Sequence, residues 1–423
     1  MRKILVLNLA FLSLLLMILT GCNSSSGDKD KSLHVLVEGG SPALEVAEKT
    51  AAEFEEQSGY KIVVDSVPYS GVYDKLKAEI DAGKATHDVA IIDVLWFPSL
   101  VDGLEPVDDV LSDEEQVDFL PKLEDGAIIE NTLYGIPTWS NSKVLIYRKD
   151  LFADEKYKEE FEKEYGYELT VPTNWQEYLD VAEFFTRDGM YGTTVYGANM
   201  GDSVSSWLDH AAQAGAQPLV IDENNNVLID QEPYVKSLEM LQELVNDESV
   251  PSETLAIAAS ETAELFNDGK LAMMLVWGHF YMSSSEELPD KVGVAPMIAG
   301  EKGIGAVPGP WYQVVLKDSN KKDVAKEYLK FMYEKNEEYM KSLGVASRAS
   351  VFEKYEDDES YLHLNAINTT LEGSQTQNRP QISEWTQIEN EVLAPMIQRV
   401  LSGADAQTEL IEAKEQIEEI IGK

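Results

Sequence analysis

Between Leu33 and Ile92 the apolar positions follow two alternating rhythms. Leu33–Val37 is a short β-branched run, followed by Glu38-Gly39-Gly40 and a stretch from Ala43 to Gln57 with apolar residues at helical spacing. Ser41 is placed as N-cap and Pro42 in the first turn, so the pattern predicts a strand, a tight loop and a helix. Gly59 ends that helix; Lys61–Val67 reads as a second strand, Val72–Ala82 as a second helix and His87–Ile92 as a third strand. Strands alternating with helices at this spacing indicate a parallel sheet in an α/β domain.

The rhythm loosens further on. Val144–Tyr147 is a predicted strand, and Thr173-Asn174-Trp175-Gln176 opens a helix to about Phe185 with capping-box spacing. Glu232–Asn246 and Ser260–Asn267 read as helices and Leu271–Val276 as an apolar strand. Gly293–Pro296 and Gln313–Leu316 are short strands expected to cross between domains. Beyond Lys321 the pattern is mostly helical and ends in two amphipathic stretches, Glu384–Leu401 and Ala404–Ile421.

The N-terminus follows neither rhythm. Arg2 and Lys3 precede an apolar run, Ile4–Leu19, of 16 positions broken only by Asn8 and Ser13. A membrane-spanning helix needs about 20 apolar residues, and Asn23-Ser24-Ser25-Ser26-Gly27-Asp28 follows with no stop-transfer cluster. Residues 1–21 therefore read as a secretory signal peptide. Leu19-Thr20-Gly21-Cys22 resembles the bacterial lipobox, in which the cysteine is acylated and becomes the new N-terminus. Cys22 is the single cysteine of the chain, so a disulfide does not account for it and lipidation does. The expectation is an exported protein held by Cys22 at the extracellular face of the cell membrane, with residues 22–32 as a flexible tether.

Charge narrows the partners. Asp plus Glu number 76 against 34 Lys plus Arg, a net −42, and Arg2 and Lys3 are the only charges in residues 1–21, so their removal leaves −44. Such a surface repels nucleic acid, and six arginines in the whole chain disfavour ligands that need bidentate clamps. Acidity by itself fits a solubility role in a salty or alkaline medium. Roughly 390 residues beyond the tether suffice for two domains.

Catalytic signatures are missing. His34, His87, His210, His279 and His363 are scattered, with no i,i+4 pair. Neither a Gly-x-Ser-x-Gly elbow nor a phosphate loop occurs, and Gly300–Gly309 lacks the Lys-Ser/Thr of one. With 76 acidic residues, carboxylate pairs of the glycosidase kind say nothing. No enzyme activity, cofactor or metal is expected.

The seven tryptophans are more telling. Trp96, Trp139, Trp277 and Trp311 sit where loops meet predicted strands, in Asp93-Val94-Leu95-Trp96, Pro137-Thr138-Trp139-Ser140-Asn141, Val276-Trp277-Gly278-His279 and Gly309-Pro310-Trp311-Tyr312. Ligands of open α/β sheets bind beyond the carboxyl ends of strands. Sugar rings offer an apolar face to an indole and hydroxyls to Asp, Asn or Glu. Trp175, at a helix start, and Trp385, on an amphipathic helix, are expected in the core.

From Leu33 onward the chain resembles the extracellular solute-binding proteins of ABC sugar importers, the relatives of maltose-binding protein. The resemblance rests on Tyr134-Gly135-Ile136-Pro137 with Leu145-Ile146-Tyr147-Arg148-Lys149-Asp150-Leu151-Phe152, on Phe266-Asn267-Asp268-Gly269-Lys270-Leu271-Ala272-Met273, on Asp323–Phe331 and on Arg379-Pro380 onward. It implies an α/β, two-lobed periplasmic-binding-protein-like fold (type II), each lobe a sheet flanked by helices, with several segments crossing a hinge. The expected N-terminal lobe is 33–142 joined by 288–312; the expected C-terminal lobe is 143–287 joined by 313–423. The resemblance also implies a monomer that closes on a carbohydrate and delivers it to ABC permease subunits.

By position, Asp93 and Trp96 fall on the first-lobe sugar loop, Trp139 and Asn141 at the first crossing, and Trp277, His279 and Phe280 on the second-lobe aromatic loop. Trp311 and Arg379 fall on later cleft segments, and Glu38 and Ser41 on the first helix N-terminus as hydroxyl ligands. Phe280 stands where the family usually has Trp, Gly309-Pro310-Trp311 replaces a usual Gly-Gly-Trp, and Asn141 replaces a common Asp. The rivals to a neutral mono- or oligosaccharide are a polyamine or other cationic solute within the same class, and, outside it, a lipid-anchored glycoside hydrolase.

Overall fold

The computed structural model describes residues 31–39, 41–120, 123–198 and 200–423. The signal segment, Cys22 and most of the tether lie outside the described residues.

The chain enters the first lobe on β1 (Ser32–Glu38), continues through α1 (Pro42–Ser58), β2 (Lys61–Val67) and α2 (Tyr69–Asp81), and reaches β3 (Val89–Asp93). These strands are parallel, with Leu33 opposite Ile62 and Leu36 opposite Ala90. β3 is buried along its whole length, as helix-covered parallel strands are. Two short strands follow, β4 (Leu104–Glu105) and β5 (Ile136–Trp139).

The chain then crosses to the second lobe on β6 (Lys143–Arg148). Helices α3 (Trp175–Phe185), α4 (Met200–Ala214) and α5 (Glu232–Asn246) lead to β7 (Met273–Trp277) and β8 (Val292–Ala295). It returns on β9 (Trp311–Leu316), adds α6 (Lys322–Glu334) and α7 (Asn336–Leu343) to the first lobe, and crosses a third time into α8 (His363–Leu371), α9 (Ala394–Leu401) and α10 (Ala406–Ile420).

The first-lobe sheet runs β2-β1-β3-β9-β4, with β5 also on β9; the second-lobe sheet runs β8-β6-β7 and is antiparallel throughout. Lobe membership differs from the expectation. Segment 288–312 is expected in the first lobe, but Val292–Ala295 pairs with β6 in the second. Segment 313–423 is expected in the second, but β9 pairs with β3, and α6 packs on β9. Strand membership is decided by ladders between distant segments, which a local pattern does not encode.

Two helix ends follow the local chemistry and a third does not. Gly59 closes α1 at φ +73°. Asn174 caps α3 by accepting from the Glu177 N–H at 3.1 Å, while the Thr173 N–H and hydroxyl donate to the Glu177 carboxylate at 2.7 and 2.9 Å. Ser41 stands at the N-cap position of α1, yet its hydroxyl donates back to the Glu38 carbonyl at 2.8 Å and caps nothing.

Candidate functional site

The first-lobe wall is built from three distant segments in register. Trp311, opening β9, lies opposite Asp93 at the end of β3 and opposite Trp139 at the end of β5. Trp139 and Trp311 stack with centroids 5.5 Å apart and planes at 19°. Trp96 meets Trp311 edge-on at 5.8 Å and is flanked by Tyr69 at 4.9 Å and Tyr73 at 5.8 Å. Asp93 accepts from the Leu95 N–H at 3.0 Å, which turns the chain after β3, and from the Tyr69 hydroxyl at 3.1 Å. Trp96 and Trp139 are only 2 % and 4 % exposed, so their faces are used by neighbouring rings, while Trp311 and Tyr69 stay half-buried.

The second-lobe wall is one indole on polar supports. Trp277 ends β7 in register with Lys143. The Lys143 ammonium lies 4.1 Å from the ring centroid, within cation–π range. It is fully buried, paired with the Asp209 carboxylate at 3.0 Å, and donates to the Ser205 hydroxyl at 3.0 Å. Asp209 also accepts from the Val307 N–H at 2.6 Å, tying the ion pair to the second crossing. The Trp277 N–H donates to Asp202 at 3.0 Å. A Cβ on Gly309 would sit 2.8 Å from the Trp277 ring, so glycine is what lets the crossing chain lie against the indole.

Asn141 and His279 are occupied with each other, side-chain N to ring Nδ1 at 2.7 Å, and the Asn141 carbonyl accepts from the Gly309 N–H at 3.0 Å. Burial first, then His363, pushes His279 down to about 3, so its ring is neutral. Phe280 lies against it at 4.3 Å. This pair therefore sits as a brace between two crossings.

Charge converges on the gap from both sides. Arg379, 6 % exposed, lies 3.7 Å from Asp93 and 3.8 Å from Glu389. Glu389 is buried in a π-helical turn, Ile388–Leu393, that leads into α9. Burial raises Glu389 to about 7 against the pull of Arg379, with Asp93 and Asp202 adding repulsion. Glu38, at the end of β1, is raised to about 7 by burial, then by Asp202 and Asp93. Beside this cluster a groove of about 410 Å³ runs between Tyr73 of the first lobe and Ser383, Glu384, Thr386, Gln387, Asn390 and Glu391 of the second. A hollow of about 510 Å³ on the outer flank of the first lobe, around Phe54, Asp109 and Lys330, holds none of these convergent groups.

Two tryptophans expected in the core differ. Trp385 is fully buried, whereas Trp175 is half-buried with its N–H on Gln213 at 2.7 Å. Sequence reasoning missed Tyr69, Lys143, Asp202, Asp209 and Glu389. Lys143 was the detectable one, a lone charge at the head of an apolar strand. Asp209 beside Trp207 and Leu208, and Glu389 beside Ile388, are acids on apolar helix faces.

Known proteins share this fold. Residues 36–338 match the family model described as bacterial extracellular solute-binding protein. An arabinooligosaccharide-binding protein of Halalkalibacterium halodurans is 23 % identical over 351 residues, spanning 77 % of this chain and 74 % of the relative. A solute-binding protein of an ABC transporter from Thermotoga lettingae, bound with α-D-tagatose, superposes with a TM-score of 0.80 at 21 % identity, covering 92 % of this chain and 100 % of that one. A maltose-bound T. maritima protein gives a TM-score of 0.79 at 20 % identity, covering 92 % and 99 %. With its two lobes, three crossings and apposed aromatic walls, the chain belongs to the bacterial extracellular solute-binding protein family.

Proposed function

We propose that the protein is a lipid-anchored receptor that captures a sugar or polyol between its lobes and presents it to an ABC permease. The observation that carries this reading is the pairing of flat rings with carboxylates in each lobe: Trp311, Tyr69 and Asp93 in the first, Trp277 and Asp202 in the second. A solute that touches both walls favours the closed form over the open one by its differential affinity. Rings suit the apolar face of a sugar and carboxylates accept from its hydroxyls. The relatives support the class, through the arabinooligosaccharide-binding protein and the tagatose and maltose found in similar structures. Asp93, Trp311, Trp277 and Arg379 are the proposed contacts, Glu38 a hydroxyl ligand, and Trp96 and Trp139 the backing of the first wall. Ser41, Asn141, His279 and Phe280, named from the sequence, are proposed to hold the hinge and loop shapes.

Titrating the Cys22→Ser chain with mono- and oligosaccharides and polyols, read by tryptophan fluorescence, tests this. A saturable response is expected, and silence to every sugar and polyol would overturn it. The same substitution is expected to release the protein from membranes into the medium.

A further inference from the structure

We infer that the groove between Tyr73 and segment 383–391 is a second sugar subsite, so that the captured solute is an oligosaccharide with one ring between the walls and the next in this groove. This rests on the sugar-receptor reading and adds a site and a ligand length to it. At about 410 Å³ the groove has the size of a small-molecule site. Both of its sides run on from the inner site. On the first-lobe side the Tyr73 ring lies 5.8 Å from Trp96, which in turn lies 5.8 Å from Trp311. On the second-lobe side one π-helical turn serves both places: its Glu389 lies 3.8 Å from Arg379, while its Asn390 and Glu391 line the groove. Turns of this kind recur at functional sites.

The lining selects the ligand class. It consists of the Tyr73 ring, two amides, two aliphatic hydroxyls and two carboxylates, with neither Lys nor Arg and no aliphatic side chain. An anionic ligand finds no cation there, and an acyl chain finds little apolar surface. The carboxylates are engaged by their own neighbours: Glu391 accepts from the Gln387 amide at 2.9 Å and Glu384 from the Ser383 hydroxyl at 2.9 Å. The Thr386 hydroxyl and the Asn390 amide, by contrast, hydrogen-bond to no other described residue. Sugar hydroxyls donate and accept, as these groups do, and the apolar face of a sugar ring covers a tyrosine. Because the groove has a wall from each lobe, a ring that touches both favours the closed form.

The test compares glucose with maltose and maltotriose, and arabinose with arabinobiose and arabinotriose, by calorimetry on the full chain in mild detergent. Tagatose and mannitol serve as further single-unit solutes. In at least one series the second unit is expected to tighten binding about tenfold or more, the worth of two or three net hydrogen bonds. Asn390→Ala and, separately, Gln387→Ala are expected to bring the ratio of disaccharide to monosaccharide affinity towards one while keeping the thermal transition. If one variant fails to fold, the other decides. Single units binding as tightly as every oligomer, or a length gain untouched in both variants, would overturn the inference and leave the sugar receptor standing. Silence to all of these solutes would overturn both.

Discussion

The two lobes solve one problem with opposite materials. In the first, Tyr69, Tyr73, Trp96, Trp139 and Trp311 hold one another by ring contacts over a sheet edge whose register places Asp93 and both Trp139 and Trp311. In the second, Trp277 stands alone, held by a buried ammonium, a buried carboxylate and a glycine contact. An aromatic cluster fails gradually, because each ring has several neighbours. A buried ion pair fails abruptly, because either partner left alone is an uncompensated charge.

Breaking the pair is therefore expected to have the largest effect. Asp209→Ala strands Lys143 and should cost about 3–5 kcal/mol in urea unfolding, and adding Lys143→Met should recover much of that. A double variant as unstable as the single would show that packing, and not charge, holds Trp277. Next comes Gly309→Ala, whose methyl must displace the indole or the crossing. About 1–3 kcal/mol of overpacking is expected, with a shifted Trp277 fluorescence and weaker ligand binding; an unchanged emission would break the contact argument.

Acidity provides a third contrast. Glu38 and Glu389, raised to about 7, bind protons in the folded state at a pH where the unfolded chain has lost them. Stability of the ligand-free protein should therefore rise by up to about 1 kcal/mol as pH falls from 8 towards 6, the buried histidines offsetting part of the gain. Below about 6 the sign reverses, because His279 and His363, held down to about 3 and about 4, and His210, lowered by burial, stay neutral while the unfolded histidines take up protons. Urea midpoints across pH 4.5–8 would show a maximum at about 6, and Glu38→Gln should flatten its alkaline side. The smallest effect is Ser41→Ala: with no cap bond to lose, it should cost well under the ~1 kcal/mol typical of an N-cap, as thermal unfolding would show.

The sequence made the first-lobe strands and helices legible because their periods are local, and the aromatic loops legible because they follow strands. Lobe membership was not legible: β8 and β9 are equally short and apolar, and only pairing with β6 or β3 tells them apart. Ser41 reads as a cap because its position is right, but the Glu38 carbonyl competes successfully for its hydroxyl. Lys143, Asp202, Asp209 and Glu389 were lost among 76 acids and a scatter of lysines, since burial of a charge is a tertiary property.

One row of side chains also sets a timetable. Asp93, Trp139 and Trp311 become neighbours only when β9 has come back from the other lobe, and Arg379 arrives later still. A polypeptide emerging amino-end first can thus complete most of its first lobe yet hold nothing, and competence for capture begins only once nearly the whole chain has left the export machinery.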